Sequence, residues 1–152
     1  MSPYFDTGVL VKSYVLENDS PFAVGLIQAT GGPFWFSHLH AVELPNAIRL
    51  KRFRKEITPA QEVAALRALR SDVNSGRLAR PHYDLAATFL RAEWLSAKCS
   101  AQVGSRSLDI LHVAIALEAA CTEFVSFDER QRKVAALAGL KVLPAKLIKR
   151  KP

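Results

Sequence analysis

The chain has 152 residues, with 21 lysine and arginine residues against 14 acidic ones, a formal net charge of +7. This length suffices for one domain with a hydrophobic core, and the spacing of Cys99 and Cys121 predicts neither a disulfide framework nor a zinc site. The absence of a signal-like start or a bilayer-long apolar run predicts a cytoplasmic protein without membrane association. The positive charge fits a polyanionic partner and, equally well, simple solubility.

In chain order, the hydrophobic pattern predicts short strands that alternate with helices. Strand-like segments are expected at residues 4–5, 34–36, 78–83, 124–127 and 140–143. Helices are expected at residues 9–15, 21–30, 41–55, 59–75, 85–103, 108–120 and 129–138, with glycines at 31, 76, 104 and 139 as stops. This alternation predicts an α/β fold with a parallel sheet.

Side-chain spacing within these helices predicts their ends and their buried faces. Thr58 and Gln61 form an expected capping box, and Asp84 and Asp128 are expected N-caps. Two buried stripes are predicted by helical spacing: Val63, Leu66, Leu69 and Val73, and then Leu85, Phe89, Ala92 and Leu95. The helix at 108–120 is apolar on nearly every face, so we expect it to be enclosed by other elements.

Four carboxylates fall where a strand-like segment gives way to a helix or in a first helical turn: Asp6, Glu43, Asp109 and Asp128. In a parallel α/β sheet the carboxyl ends of the strands share one edge, where ligands bind, so these acids are expected to meet there. Four acids in one crevice would repel unless cations lay among them, and carboxylate oxygens suit Mg²⁺ or Mn²⁺. Phosphodiester hydrolysis is the chemistry that best uses such a site.

Each acid alone also has a structural explanation, because Asp109 and Asp128 are good capping residues. Histidines give weaker alternatives: His112 shares a helix face with Asp109, although a buried structural role is favoured, and His38 and His40 lack a third ligand. A phosphotransfer enzyme with Asp6 as nucleophile is a further alternative, but no motif places the lysine and threonine that it needs.

Three segments resemble the PIN-domain family, in particular its VapC-type toxin branch. They are YFDTGVLVKSYV at 4–15, SHLHAVELPNAIR at 37–49, and SRSLDILHVAIALEAACTEFVSFDERQRKVAALAGLKVL at 105–143. The resemblance implies a three-layer α/β/α sandwich with a central parallel sheet, formed by a single nuclease domain at residues 1–145. A basic tail would follow at 146–152.

The same resemblance implies an endoribonuclease site that uses Mg²⁺ or Mn²⁺. By position, Asp6, Glu43 and Asp109 would be the principal metal ligands, and Asp128 would complete the pocket, directly or through water. Thr7 resembles a hydroxyl residue that supports the first carboxylate or a metal-bound water, although a small residue at a tight turn is an equally good explanation. Gly8 departs from the family pattern, in which serine or another small polar residue is common.

Partners are also implied by the resemblance: an RNA substrate, a cognate antitoxin that blocks the pocket, and a second copy in a homodimer. The basic end of the predicted helix at 41–55, with Arg49 and Arg52, and also Arg106, are candidates for contacts with RNA phosphates. For the helix end, complementing the helix dipole is the default explanation. The alternative function is a catalytically silent PIN-like domain that binds RNA or a protein.

Overall fold

A computed structural model describes residues 3–147, and these residues fall into two compact units. We call Tyr4–Pro81 the N-terminal unit, and the residues from His82 to Leu147 the C-terminal unit. Each unit combines helices with a pair of parallel strands, which confirms the predicted α/β class. The predicted basic tail lies outside the described residues from residue 148 onward.

The N-terminal unit contains three strands and four helices. In chain order these are β1 (Tyr4–Phe5), α1 (Thr7–Leu10) with a 3-10 turn (Val11–Ser13), α2 (Ser20–Thr30), β2 (Phe34–Trp35), α3 (His38–Phe53), α4 (Pro59–Asn74) and β3 (Leu78–Ala79). Strands β2 and β3 pair in parallel, with Phe34 opposite Leu78. Helix α3 packs against both α1 and α4, so these three helices contribute to one core.

The C-terminal unit contains three helices and two strands. They are α5 (Leu85–Val103), α6 (Ser107–Glu118), β4 (Glu123–Val125), α7 (Glu129–Leu137) and β5 (Lys141–Leu143). Strands β4 and β5 pair in parallel, with Phe124 opposite Val142. Helix α6 packs against α5 and α7, and its Val113, Ala114 and Ala116 are fully buried, as its apolar sequence predicts.

Helix ends follow the capping signals in the sequence. Thr58 Oγ1 accepts a hydrogen bond from the Gln61 amide at 3.2 Å, and Gln61 Oε1 accepts one from the Thr58 amide at 2.8 Å, which confirms the predicted box. Asp84 caps α5 through the Ala87 amide at 2.9 Å. Helices α2 and α5 end at Gly31 and Gly104, whose φ angles of 80° and 69° favour glycine.

The predicted buried stripe of α4 is only partly correct. Leu69 is buried, but Val63 and Val73 are 57% and 38% exposed. Ala65 takes the place of Val63 on the buried face. An alanine gives a weak hydrophobic signal although it packs closely, so the sequence pattern favours the larger neighbouring side chains.

The predicted buried stripe of α5 is also only partly correct. Ala92 and Leu95 are buried, whereas Leu85 and Phe89 are 54% and 53% exposed. The observed buried face includes Thr88 and Cys99. This helix carries apolar residues on two faces, so spacing alone does not identify the face that packs against the core.

Across residues 3–147, no helix is long and apolar enough to cross a bilayer.

Candidate active site

Asp6 follows β1 directly and caps the first helix. Its Oδ1 accepts a hydrogen bond from the Val9 amide at 2.7 Å, so helix α1 begins at Thr7 rather than at the predicted residue 9. Its side chain is only 6% exposed. A buried carboxylate needs donors or cations around it, because losing hydration is costly for a charged group.

Thr7 connects this turn to the segment that carries Glu43. Its Oγ1 donates a hydrogen bond to Glu43 Oε2 at 2.6 Å, across 36 positions of sequence. Thr7 is buried and Glu43 is half-buried. The predicted placement of Glu43 in a first turn is wrong: α3 begins at His38, so Glu43 lies in the second turn.

The early start of α3 is due to a cap that includes a histidine. Ser37 Oγ accepts from the His40 amide at 3.3 Å, and His40 Nδ1 accepts from the Ser37 amide at 3.1 Å. His40 Nε2 then donates to the Phe5 carbonyl at 2.9 Å, one residue before Asp6. His40 is fully buried and therefore ties the end of β1 to the start of the Glu43 helix.

This role of His40 differs from the weak metal-ligand role that the sequence pattern indicates. The available signal was the spacing Ser37-x-x-His40, in which an aromatic nitrogen stands where a capping box has Glu or Gln. Both ring nitrogens of His40 are used in these hydrogen bonds, and His38 is exposed. The two histidines are therefore not arranged as a ligand pair.

Asp109 lies in the first turn of α6, in the C-terminal unit. Its Oδ2 accepts a hydrogen bond from the Arg106 amide at 3.1 Å. Its side chain is half-buried, and among residues 3–147 its Oδ1 has no hydrogen-bond donor. The cap therefore orients the carboxylate and leaves one oxygen available.

Asp128 is the N-cap of α7, directly after β4. Its Oδ1 accepts hydrogen bonds from the Arg130 and Gln131 amides at 2.8 and 3.0 Å. In the described part of the chain its Oδ2 has no donor, and the side chain is exposed. Like Asp109, Asp128 combines a structural cap with one oxygen that accepts no hydrogen bond from residues 3–147.

This donor chemistry fits a hard divalent cation. Asp109 and Asp128, both in the C-terminal unit, each have one oxygen that the capping interaction does not use, and carboxylate oxygens are ligands that such a cation prefers. Over residues 3–147, no group of three or more His, Cys, Asp or Glu side chains is already gathered as a metal site. Asp6 and Glu43 belong to the N-terminal unit, and Asp109 and Asp128 to the C-terminal unit.

The remaining candidates differ in their surroundings. His112 is buried, with 3% exposure. Arg49 and Arg106 are exposed, whereas Arg52 is half-buried and lies 4.0 Å from Glu62. Of the basic residues at the end of α3, Lys51 is turned inward to Glu17 and Glu56. The basic end of α3 is therefore partly neutralised by acids of the same unit.

A family model described as PIN domain matches residues 4–137 of this chain. A comparison with curated proteins gave no match. The matched region includes all four carboxylates as well as Thr7, and it extends from β1 through α7. Because the match covers most of the sequence, the chain belongs to the PIN-domain family.

Proposed function

We propose that this protein is a metal-dependent endoribonuclease that hydrolyses RNA phosphodiester bonds. PIN domains are generally nucleases and generally use divalent metals. The observation that best supports the proposal is the hydrogen bond from Thr7 to Glu43, because it joins two carboxylate-bearing segments that are far apart in sequence. Such long-range positioning of acids is what a catalytic pocket needs and what ordinary helix capping does not require.

Asp6, Glu43 and Asp109 would hold the divalent ion. Asp128 would orient the attacking water or support a second ion. Thr7 fixes one oxygen of Glu43, and the backbone amides at the starts of α1, α6 and α7 fix one oxygen each of Asp6, Asp109 and Asp128. A bound Mg²⁺ or Mn²⁺ supplies a water of lowered pKa and stabilises negative charge on the phosphate.

Substrate contacts would come from exposed arginines. Arg49 and Arg106 are exposed, so their guanidinium groups are available for phosphate oxygens. Arg52 would contribute less, since Glu62 lies 4.0 Å away. These contacts would orient the RNA without reading its bases.

The biological role we propose is that of a toxin held inactive by a cognate antitoxin, with the toxin as a homodimer. This part of the proposal rests on the resemblance of the three sequence segments to VapC-type toxins. Co-purification of the chain with the product of a neighbouring gene, followed by loss of cleavage in that complex, would support it. A nuclease that is fully active in the complex would contradict the inhibitory role.

The experiment that tests the activity is cleavage of total cellular RNA by the purified protein, with Mg²⁺ or Mn²⁺ and with EDTA as the control. We expect cuts at discrete sites that appear only with the metal, and sequencing of the fragment ends identifies them. Folded protein that is loaded with metal, free of any inhibitor and still inactive would contradict the proposal. It would favour a catalytically silent module that binds RNA or protein.

A further inference from the structure

Arg132 in α7 makes an unusual set of contacts for a half-buried arginine. Its Nη1 donates to the carbonyls of Ser126 at 2.9 Å and Leu143 at 3.0 Å, and its Nη2 donates to the Pro144 carbonyl at 2.6 Å. In these hydrogen bonds the guanidinium faces backbone carbonyl oxygens. Burial lowers the pKa of Arg132 below its ordinary value, because removing a cation from water is unfavourable.

These three carbonyls belong to the carboxyl ends of the two paired strands. Ser126 follows β4, and Leu143 and Pro144 lie at the end of β5. The Ser126 amide also donates to the Leu143 carbonyl at 3.2 Å, so the strand ends are already adjacent. Arg132 therefore holds both strand ends in place from the helix that follows β4.

The same segment fixes Asp128. The Asp128 amide donates to Ser126 Oγ at 3.0 Å, and the Arg132 amide donates to the Asp128 carbonyl at 2.9 Å. Ser126 is fully buried. The backbone of Asp128 is thus held on two sides. On one side it contacts Ser126, whose carbonyl accepts from the Arg132 side chain, and on the other it contacts the backbone amide of Arg132 in the first turn of α7.

We propose that Arg132 is a positioning residue for the Asp128 carboxylate: by holding the strand ends against α7, it keeps Asp128 Oδ2 directed for metal binding. This inference rests on the proposed function, in which Asp128 helps to bind the ion or its water. Arg132 itself does not contact RNA or metal in this account. Its role differs from that of the exposed arginines, which act through phosphate contacts.

Arginine is required here because its planar group presents several donors in a fixed geometry. A lysine keeps the charge but offers a single nitrogen, which cannot hold three carbonyls of two strands in the same arrangement. Arg132→Lys is therefore an informative variant. Arg130→Lys is the matched control, because the Arg130 side chain is exposed and makes one long hydrogen bond, to the Gly104 carbonyl at 3.3 Å.

The test is Mn²⁺ binding to the full chain without RNA, measured by calorimetry and by the electron paramagnetic resonance spectrum of the bound ion. Loss of a group that orients a metal ligand typically weakens metal binding about 10-fold to 100-fold. We expect Arg132→Lys to weaken Mn²⁺ binding about tenfold, and Arg130→Lys to leave it unchanged. In an Asp128→Asn background, Arg132→Lys should have no further effect, because its action passes through Asp128.

Two outcomes would overturn the inference: Mn²⁺ binding by Arg132→Lys that equals the wild type, or the same weakening with and without Asp128. Failure of the wild type to bind Mn²⁺ would instead overturn the proposed function and this inference together. Circular dichroism establishes that each variant is folded. If Arg132→Lys does not fold, Ser126→Ala removes the hydroxyl that accepts from the Asp128 amide, which is the next contact between Arg132 and Asp128, and it should weaken Mn²⁺ binding in the same way. Weaker binding that depends on Asp128 supports the inference, and unchanged binding contradicts it.

Discussion

Thr7 donates a 2.6 Å hydrogen bond to the carboxylate of Glu43, and this bond joins the turn after β1 to helix α3. A hydrogen bond to a charged acceptor contributes roughly 1.5–3 kcal/mol, so it is strong enough to select one orientation of Glu43. Because Thr7 is adjacent to Asp6, the turn that caps α1 also determines where Glu43 presents its oxygens.

Thr7→Val tests the importance of this bond for activity. Valine keeps the shape of threonine and removes the donor, so we expect kcat/KM for RNA cleavage to fall about tenfold, which corresponds to about 1.4 kcal/mol. Thr7→Ser keeps a hydroxyl and should retain most of the activity. Equal activity of the valine and serine variants would show that orientation of Glu43 by Thr7 does not matter for cleavage.

His40→Phe should reduce stability rather than alter the acids directly. Phenylalanine fills a similar volume but leaves the Phe5 carbonyl and the Ser37 amide without their present partner. We expect the free energy of unfolding to fall by about 3 kcal/mol, measured by urea denaturation. The control is His38→Phe at the neighbouring exposed position, which should change stability much less. Similar losses in both variants would refute the bridging role of His40.

A network of partly buried charges around Lys12 predicts how stability depends on pH. Lys12 is 7% exposed and pairs with Glu17 and with Asp19, the latter at 2.9 Å, and Lys51 pairs with Glu17 as well. Burial alone would raise the pKa of Glu17, but hydrogen bonds from Lys12 and Lys51 lower it below its ordinary value of 4.5. The ionised form of Glu17 is therefore favoured in the folded state.

The sign of the effect follows from this lowered pKa. Stability from Glu17 is present above its unfolded pKa, near 4.5, and is lost as the pH falls through the lower pKa of the folded state. Glu17→Gln should thus unfold more easily at pH 7 and lose less stability than the wild type on acidification. Glu56→Gln, at a more exposed partner of Lys51, is the control. If the free energy of unfolding depends on pH in the same way in the wild type and in Glu17→Gln, the lowered pKa of Glu17 does not contribute to stability.

Gly8 lies in helix α1, directly after Thr7. A Cβ atom at Gly8 would lie 3.5 Å from Asp6 Oδ1, an ordinary van der Waals distance. Because glycine gives the unfolded chain more conformational freedom than other residues, Gly8→Ala and Gly8→Ser should each stabilise the protein by about 0.4–1 kcal/mol and retain metal-dependent cleavage. Thermal unfolding and the cleavage assay check both results. A large loss of stability in either variant would show that the turn requires glycine.

Exposed arginines should control the salt dependence of RNA binding. Arg49→Gln and Arg106→Gln are each expected to weaken binding and to reduce the slope of log affinity against log salt concentration by about one. Arg67→Gln, at an exposed position of α4, serves as the charge-matched control. The measurement is fluorescence anisotropy with labelled RNA over a range of salt concentrations, using the inactive Asp6→Asn protein. Equal slopes for all three variants would remove Arg49 and Arg106 from the RNA surface.

The sequence predicted the element order well, because caps and stops are local signals. Thr58 with Gln61, Asp84, Asp128 and the terminal glycines at 31 and 104 all act over a few residues. The start of α3 was missed because a histidine replaces the usual acid in its capping box. The predicted buried faces of α4 and α5 are partly wrong. In α5 tertiary packing buries one of two apolar faces, and in α4 it buries a small residue that gives a weak hydrophobic signal.

The roles of polar side chains were harder to predict than the elements. The resemblance to PIN domains implies that Thr7 supports Asp6 or a metal-bound water, and the structure adds that its hydroxyl donates to Glu43, which lies in another helix. His40 and Arg132 act through backbone carbonyls of distant residues, and no local pattern encodes those partners. Such contacts depend on how the elements pack, so they become visible only in three dimensions.

Metal-dependent RNA cleavage by the four carboxylates is tested best by a pair of matched aspartate variants. Asp6 and Asp84 are both helix N-caps, and asparagine is an equally good cap, so both Asp→Asn variants should fold. In an Mg²⁺-dependent cleavage assay, we expect Asp6→Asn to abolish cleavage and Asp84→Asn to retain the wild-type rate. Full activity of folded Asp6→Asn would contradict the account.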